Sequence, residues 1–242
     1  MYQTFKKVAL TVVPRKTLFK NEVFIRSLFA FHLKGKNHRC SLCKKNLKKF
    51  IKIPDGDILC PFCGSRSRTR RLYNFLLENN LLQGKVLHFS PSRSLYRIFS
   101  KNDDITYYST DFQDEFIAEY NYNITNIPVK NNSFDLIICY HILEHIEDDK
   151  AAMSELSRVL KKGGNCIIQT PFKVGKIYED VSKTTKAERL KAFGQEDHVR
   201  VYSVEGLKER LLQNGFANVE IKNFSKNIFN GFMNETILIA KK

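Results

Sequence analysis

A chain of 242 residues with 43% hydrophobic content can bury one large core with a small module beside it, so two domains are expected. No run of about 18 or more uncharged apolar residues is present, and the N-terminus lacks a signal peptide's compact apolar region and small-residue cleavage site; a spanning segment is excluded and a cytoplasmic protein expected. The formal charge of +15 falls in the first third: residues 1–85 carry 19 Lys/Arg against 4 Asp/Glu, and residues 86–242 carry 21 of each. Such a field attracts polyanions such as RNA, anionic lipid head groups or phosphorylated glycan carriers, although a solvated basic face is the plain alternative.

In chain order, Lys16–Leu33 mixes apolar residues (Leu18, Phe19, Val23, Phe24, Leu28) with Lys20, Glu22, Arg26 and His32, which predicts a basic amphipathic helix. It packs on its own protein or lies on an anionic membrane surface. Cys40-x2-Cys43 and Cys60-x2-Cys63 follow, with 16 residues between the pairs, the spacing of a zinc site. Four thiolates give the closed tetrahedral set of a structural metal, with no position left for water; in a reduced compartment disulfides are the weaker reading. Phe50–Ile53 and an Asp55-Gly56 turn predict a hairpin between the knuckles. Arg66–Leu82 reads as a helix whose first turns carry Arg66, Arg68, Arg70 and Arg71. That placement opposes the helix dipole and suggests an anion nearby, with unpartnered surface arginines as the default.

From Lys85 the pattern alternates. Strands are predicted at Val86–Phe89, Ile105–Thr110, Phe134–Tyr140, Asn165–Thr170, Ala217–Phe224 and Glu235–Ala240, with a further segment ending in Asn123-Ile124-Thr125. Helices are predicted at Ser92–Ser100, Ala151–Leu160 and Val204–Asn214. Lys161-Lys162-Gly163-Gly164 reads as a helix stop, since cations suit the C-terminal dipole and glycine the left-handed cap. About seven strands with crossover helices predict a doubly wound α/β sheet, and the short Ser225–Asn234 connection predicts that the last strand is antiparallel. Ligands in such sheets lie outside the strands' carboxyl ends, here beside Cys139, Tyr140 and His141. Cys139 and Cys166 fall in core strands and read as small buried hydrophobes.

The string His141-Ile142-Leu143-Glu144-His145-Ile146-Glu147-Asp148-Asp149, followed by Glu155-Leu156, Arg158-Val159-Leu160 and Gly163-Gly164, resembles the class I S-adenosylmethionine-dependent methyltransferases, specifically a bacterial branch with an N-terminal zinc ribbon. Phe193–Tyr202 resembles the same branch. The resemblance covers about residues 38–242 and implies a seven-stranded Rossmann-like methyltransferase sheet. Its parts would be a basic segment at 1–37, a zinc ribbon at 38–65, a linking helix at 66–83 and the methyltransferase domain at 84–242. It further implies that Asp111 accepts from the ribose hydroxyls, Asn123 from the adenine amino group (where aspartate is more usual), and that the Ile124 N–H serves the adenine ring. His88, Phe89 and Ser90 close the first strand's loop on the cofactor, and Cys139 and Tyr140 complete the set. The family's usual glycine-rich loop is replaced by Ser90-Pro91-Ser92, a substitution that this branch often shows and that must allow the same close approach without glycine.

His141-x-x-Glu144-His145 also matches a zinc protease signature, but that class needs both histidines on one helix, and His141 follows a strand. For methyl transfer to oxygen the acceptor must lose a proton, and His141 and His198 are the candidate bases, while His145 reads as structural. Residues 172–200 are expected to meet the substrate, with Tyr178, Arg200 and Tyr202 as its contacts and Glu179 and Asp180 nearby. The resemblance implies an O-methyltransferase acting on a glycan, lipid-linked precursor or small polar metabolite. RNA methylation through the basic third, or a cofactor-binding regulator without turnover, are the alternatives.

Overall fold

The computed structural model describes residues 15–242, so the first 14 residues of the expected segment 1–37 lie outside the described residues. The chain forms two compact units. Among the described residues, one comprises Arg15 to Asn80 with Ser92–Ile98 and Phe224–Glu235; the other comprises Leu81–Pro91, Phe99–Asn223 and Thr236–Lys242. This division differs from the four consecutive segments expected, because distant stretches of chain return to the first unit.

In the first unit, α1 (Arg15–Phe29) ends before a 3-10 turn at Phe31–Leu33, several residues short of the expected helix end. Its Glu22 is buried and meets Arg26 at 2.9 Å, Arg97 at 2.7 Å and Arg93 at 3.3 Å. Burial disfavours the charged carboxyl, but the three arginines outweigh it and hold Glu22 below its ordinary value. Phe24, Leu28 and Phe31 are exposed. Strand β1 (Lys34–Arg39) pairs antiparallel with β2 (Asn46–Leu47), and β3 (Ile51–Lys52) with β4 (Ile58–Leu59) around the expected turn, where Gly56 has a φ of 84°.

Helix α2 (Ser67–Glu78) shows where the arginines go. Arg66 pairs with Asp55 and with Asp57, the latter at 2.9 Å. Arg70 is fully buried and donates to the carbonyls of Ser65, Ile58 and Gly231, while Arg71 donates to those of Ser225 and Met233 at 2.7 and 2.8 Å. The loop at 224–235 is thus stapled by two guanidinium groups to the helix start, in place of an external anion. Gly231, at φ 67°, lies so close to Phe50 that a Cβ would fall 2.3 Å from the ring.

The second unit holds a six-stranded sheet in the order β11-β12-β8-β7-β5-β6. Its strands are β5 (Gly84–Phe89), β6 (Ile105–Thr110), β7 (Phe134–Tyr140), β8 (Leu160–Gln169), β11 (Asn218–Phe224) and β12 (Glu235–Lys241). Strands β6, β5, β7 and β8 run parallel, and β12 is antiparallel to β8. The expected seventh strand does not form: the polar, tyrosine-rich stretch before Asn123 contributes only an isolated Thr110–Tyr120 bridge. Helices α3 (Arg93–Phe99), α4 (Asp149–Val159) and α6 (Val204–Gln213) match their expected positions within two residues. Helix α4 ends before Lys161-Lys162-Gly163-Gly164, which instead bulges at the start of β8 while Lys161 reaches Asp135 at 2.7 Å.

Strands β9 (Tyr178–Glu179) and β10 (Arg200–Val201) form a small antiparallel pair in the region read as a substrate loop. Between them stands an unanticipated helix, α5 (Lys186–Phe193), with a Thr185/Glu188 capping box and left-handed Gly194 at its end. Among the described residues no helix is long and apolar enough to cross a membrane.

Candidate functional site

The four cysteines of the ribbon converge. Cys40 and Cys63 sulfurs are 3.8 Å apart, as are those of Cys43 and Cys60, and all four donors lie within 4.8 Å of one another. Thiolates about 2.3 Å from a central ion stand about 3.8 Å apart in a tetrahedron, so the set fits a four-sulfur metal. Each pair is bent into a knuckle: Lys44 (φ 61°) and Gly64 (φ 73°) turn left-handed after the second cysteine, donating to the carbonyls of Cys40 and Cys60. Ser65 Oγ lies 3.6 Å from Cys40 Sγ and 3.1 Å from Cys63 Sγ, close enough to donate to thiolate charge. No disulfide joins these cysteines.

In the second unit, β5 lies between β6 and β7, so the carboxyl ends of three strands stand side by side and bring Ser90, Asp111 and Tyr140 to one edge. Ser90 has a φ of 44°, the conformation that a glycine would take at no steric cost. Its hydroxyl donates to Asp111 Oδ1 at 2.6 Å, and the N–H groups of Glu115 and Phe116 donate to Oδ2 at 2.6 and 2.9 Å. Three of a carboxylate's roughly four acceptor positions are therefore taken. Asn123 is exposed, and its carbonyl oxygen accepts from Thr125 N–H and Oγ at 3.0 and 2.8 Å; the atom expected to meet adenine closes a local turn instead.

His88 is not at this edge. It is buried against Phe99, with Nδ1 3.0 Å from the Tyr107 hydroxyl, and burial lowers its pKa to about 3, which keeps it neutral. Phe89, Ile124 and Cys139 belong to the main hydrophobic core, so their side chains pack internally and only backbone groups there are left for a ligand. Burial raises the Cys139 and Cys166 thiols, as expected of inert core cysteines.

Beyond β7 the chain turns sharply at His141, whose φ is 55°. His141 Nδ1 lies 3.1 Å from Oε1 of Glu144, which is 1% exposed. Burial would raise the Glu144 pKa, yet the hydrogen bond and charge of His141 outweigh it and the carboxyl is held below its ordinary value. His145 Nδ1 lies 3.2 Å from Asp197, and the His145 and His198 rings meet edge to face at 4.7 Å. His198 is 5% exposed, and burial lowers its pKa against the pull of Glu144. Leu143–His145 is a single 3-10 turn, so the protease geometry is absent, but His145 is more than a packing residue because Glu144, His145 and His198 cluster.

Two of the expected substrate contacts are buried supports. Arg200 donates to Glu179 at 2.9 Å and to the carbonyls of Leu143, Ile146 and Glu147; Tyr202, fully buried, donates to Asp149. Arg210 completes the network on Asp149 at 2.7 Å and Glu179 at 3.0 Å. Tyr178 alone of the three keeps an exposed ring, with the Lys173 ammonium 4.4 Å above it. Hydrogen bonding from Arg210 lowers Glu179 to about 2, with Arg200 reinforcing it against burial. A depressed carboxyl stabilises the fold above its unfolded pKa and loses that contribution as pH falls toward the folded value. Urea midpoints should therefore drop between about pH 4.5 and pH 2, and Glu179→Gln should flatten that part of the profile.

A family model described as a methyltransferase domain matches residues 66–221. An uncharacterized methyltransferase of Schizosaccharomyces pombe is 28% identical over 125 residues, covering 50% of this chain and 42% of that protein. An uncharacterized protein of Methanocaldococcus jannaschii is 31% identical over 86 residues, 36% of each chain. The chain spans 36% to 44% of the length of the curated relatives it matches. Among solved structures, a SAM dependent methyltransferase from Archaeoglobus fulgidus aligns with a TM-score of 0.52 at 15% identity, covering 71% of this chain and 93% of that one. The cyclase SpnF aligns with a TM-score of 0.52 at 15% identity, covering 72% and 82%. These two likenesses speak for the fold; the family match spans more than half of the sequence and includes both the strand edge at Ser90–Asp111 and the His141–Glu144 turn, and by it the chain belongs to the methyltransferase-domain family.

Proposed function

We propose that the protein transfers the methyl group of S-adenosylmethionine to an oxygen of a glycan, a lipid-linked precursor or a small polar metabolite. The observation that carries this reading is the His141–Glu144 pair, set on a left-handed turn at the end of β7, two strands from Asp111. The residues fit the cofactor: Asp111 keeps one acceptor position for a ribose hydroxyl, and Ser90 Oγ, which donates to Asp111, retains lone pairs for the other. Asn123 offers its amide nitrogen rather than its oxygen. When bound, S-adenosylmethionine supplies a methyl group on a positively charged sulfur, ready for displacement by a lone pair.

The chain's own part is then orientation and proton removal. Glu144 accepts from His141 Nδ1 and fixes the tautomer, which leaves Nε2 as the atom that takes the acceptor's hydroxyl proton. With that proton held at Nε2, the acceptor oxygen would present its lone pair to the methyl group that S-adenosylmethionine would supply. His198, the other expected base, is less suited because it is buried against His145. The four cysteines hold a structural zinc ion in this reading, with every position filled by sulfur and none open for catalysis. A small acceptor is favoured over nucleic acid because Arg66, Arg70 and Arg71 are engaged by the protein's own carboxylates and carbonyls.

The test is methyl-labelled S-adenosylmethionine offered with separate glycan, lipid, metabolite and RNA fractions. Label in one of the first three is expected, and His141→Gln should lower the rate by about 10²–10⁴ while leaving cofactor affinity unchanged. Label in RNA alone would overturn the acceptor assignment.

A further inference from the structure

We propose that Glu144, His145 and His198 form a second cation site, distinct from the four cysteines, for a first-row divalent transition ion. Each offers a donor atom within 4.8 Å of the others. Donors sharing an ion at bond lengths of about 2.1 Å stand roughly 3.0–3.5 Å apart, a distance that small side-chain rotations supply.

What distinguishes this group from an ordinary polar cluster is that Glu144 and His145 already have partners outside it. Glu144 Oε1 bonds His141, while Oε2 is buried with no hydrogen-bond partner. A buried carboxylate oxygen left unpaired is destabilising, and a cation removes that penalty. His145 Nδ1 donates to Asp197 at 3.2 Å, leaving its other nitrogen as a lone-pair donor. Imidazoles anchored in this way, above all by a carboxylate, are the usual supports of metal-binding histidines.

The scaffold is also fixed before any ion arrives. The Val199 N–H donates to the Glu144 carbonyl at 2.9 Å, tying the two ligand segments together beside His198. Arg200 holds the carbonyls of Leu143, Ile146 and Glu147 on either side of the other two ligands. Two imidazoles and one carboxylate suit manganese, iron, cobalt or zinc rather than calcium or magnesium, which prefer oxygen alone. Three protein donors leave positions for water or for oxygens of a bound molecule, at the strand ends where the acceptor is expected. The site goes beyond the methyl-transfer reading and does not depend on it.

Calorimetric titration with Co²⁺ of protein carrying a single zinc ion per chain tests this, because the one ion fills the cysteine site, leaves the second site open, and any exchange with the thiolates reveals itself by a thiolate-to-cobalt absorption band. One Co²⁺ per chain should bind without that band. Glu144→Gln should weaken binding at least tenfold and His38→Asn should leave it unchanged. Asp197→Asn, at an exposed position that does not risk the fold, should weaken it by about 10–100-fold. No binding by the wild type up to about 1 mM, well above the range of a working site, or equal binding by Glu144→Gln and Asp197→Asn, would overturn the proposal.

Discussion

Cys60→Ser should abolish metal binding by the ribbon and unfold it. Cys60 is fully buried and faces Cys43 at 3.8 Å, and three of the four strands around the cluster, β2, β3 and β4, are only two residues long, too short to hold the hairpins without a cross-link. Structural zinc contributes on the order of 10 kcal/mol to small modules of this kind, more than the few apolar side chains here can replace. With cobalt in place of zinc, the thiolate-to-cobalt band should vanish in Cys60→Ser and persist in Cys166→Ser, whose thiol sits in a core strand. Limited proteolysis should then open residues 40–65 first. Retention of both the band and the protection in Cys60→Ser would show that the cluster does not hold metal as described.

Arg200→Leu is the second large effect. Its guanidinium is 7% exposed and serves Glu179 at 2.9 Å, Asp149 at 3.6 Å and three carbonyls; the substitution strips the carbonyls of Leu143, Ile146 and Glu147 of this donor and leaves the two carboxylates to Arg210 alone among the arginines. Removing one partner of a buried ion pair costs about 3–5 kcal/mol, which for a chain of this length corresponds to a fall in Tm on the order of 10 °C. Arg200→Lys should rescue little of this, since one ammonium cannot reproduce the planar fork. If thermal unfolding of Arg200→Leu matched that of the wild type while substrate affinity alone fell, the side chain would be a substrate contact, as its position in the sequence had suggested.

The contrast at Arg200 shows what a sequence can convey. The apolar runs Val86–Phe89, Ile105–Thr110 and Phe134–Tyr140 mark strands because burial on both faces requires such runs, and the cysteine knuckles are local in the chain. Ser90 was legible as the substitute for glycine, since the strand must turn there whatever residue is present. Long-range pairing was not legible. Arg70 and Arg71 find carbonyls 154 to 162 residues away, which turns an apparent anion site into a structural staple. His198 meets His145 only because β10 and its approach fold back along the Glu144 turn. Helix α5 could have been read from Thr185-x-x-Glu188 and Gly194, signals present in the sequence but masked by the polarity of the surrounding stretch. The missing seventh strand has the opposite cause: Tyr120-Asn121-Tyr122-Asn123 has too few apolar residues to hold a full edge pairing.

The edge formed by Ser90 and Asp111 is expected to bind S-adenosylmethionine. Isothermal titration of the intact protein with S-adenosylmethionine tests it most directly. Saturable binding at one site is expected, weakened about 10–100-fold in Asp111→Asn, which keeps the shape but loses charge-assisted hydrogen bonding worth about 1.5–3 kcal/mol. Absence of binding at about 1 mM cofactor, or equal affinity in the wild type and Asp111→Asn, would contradict it.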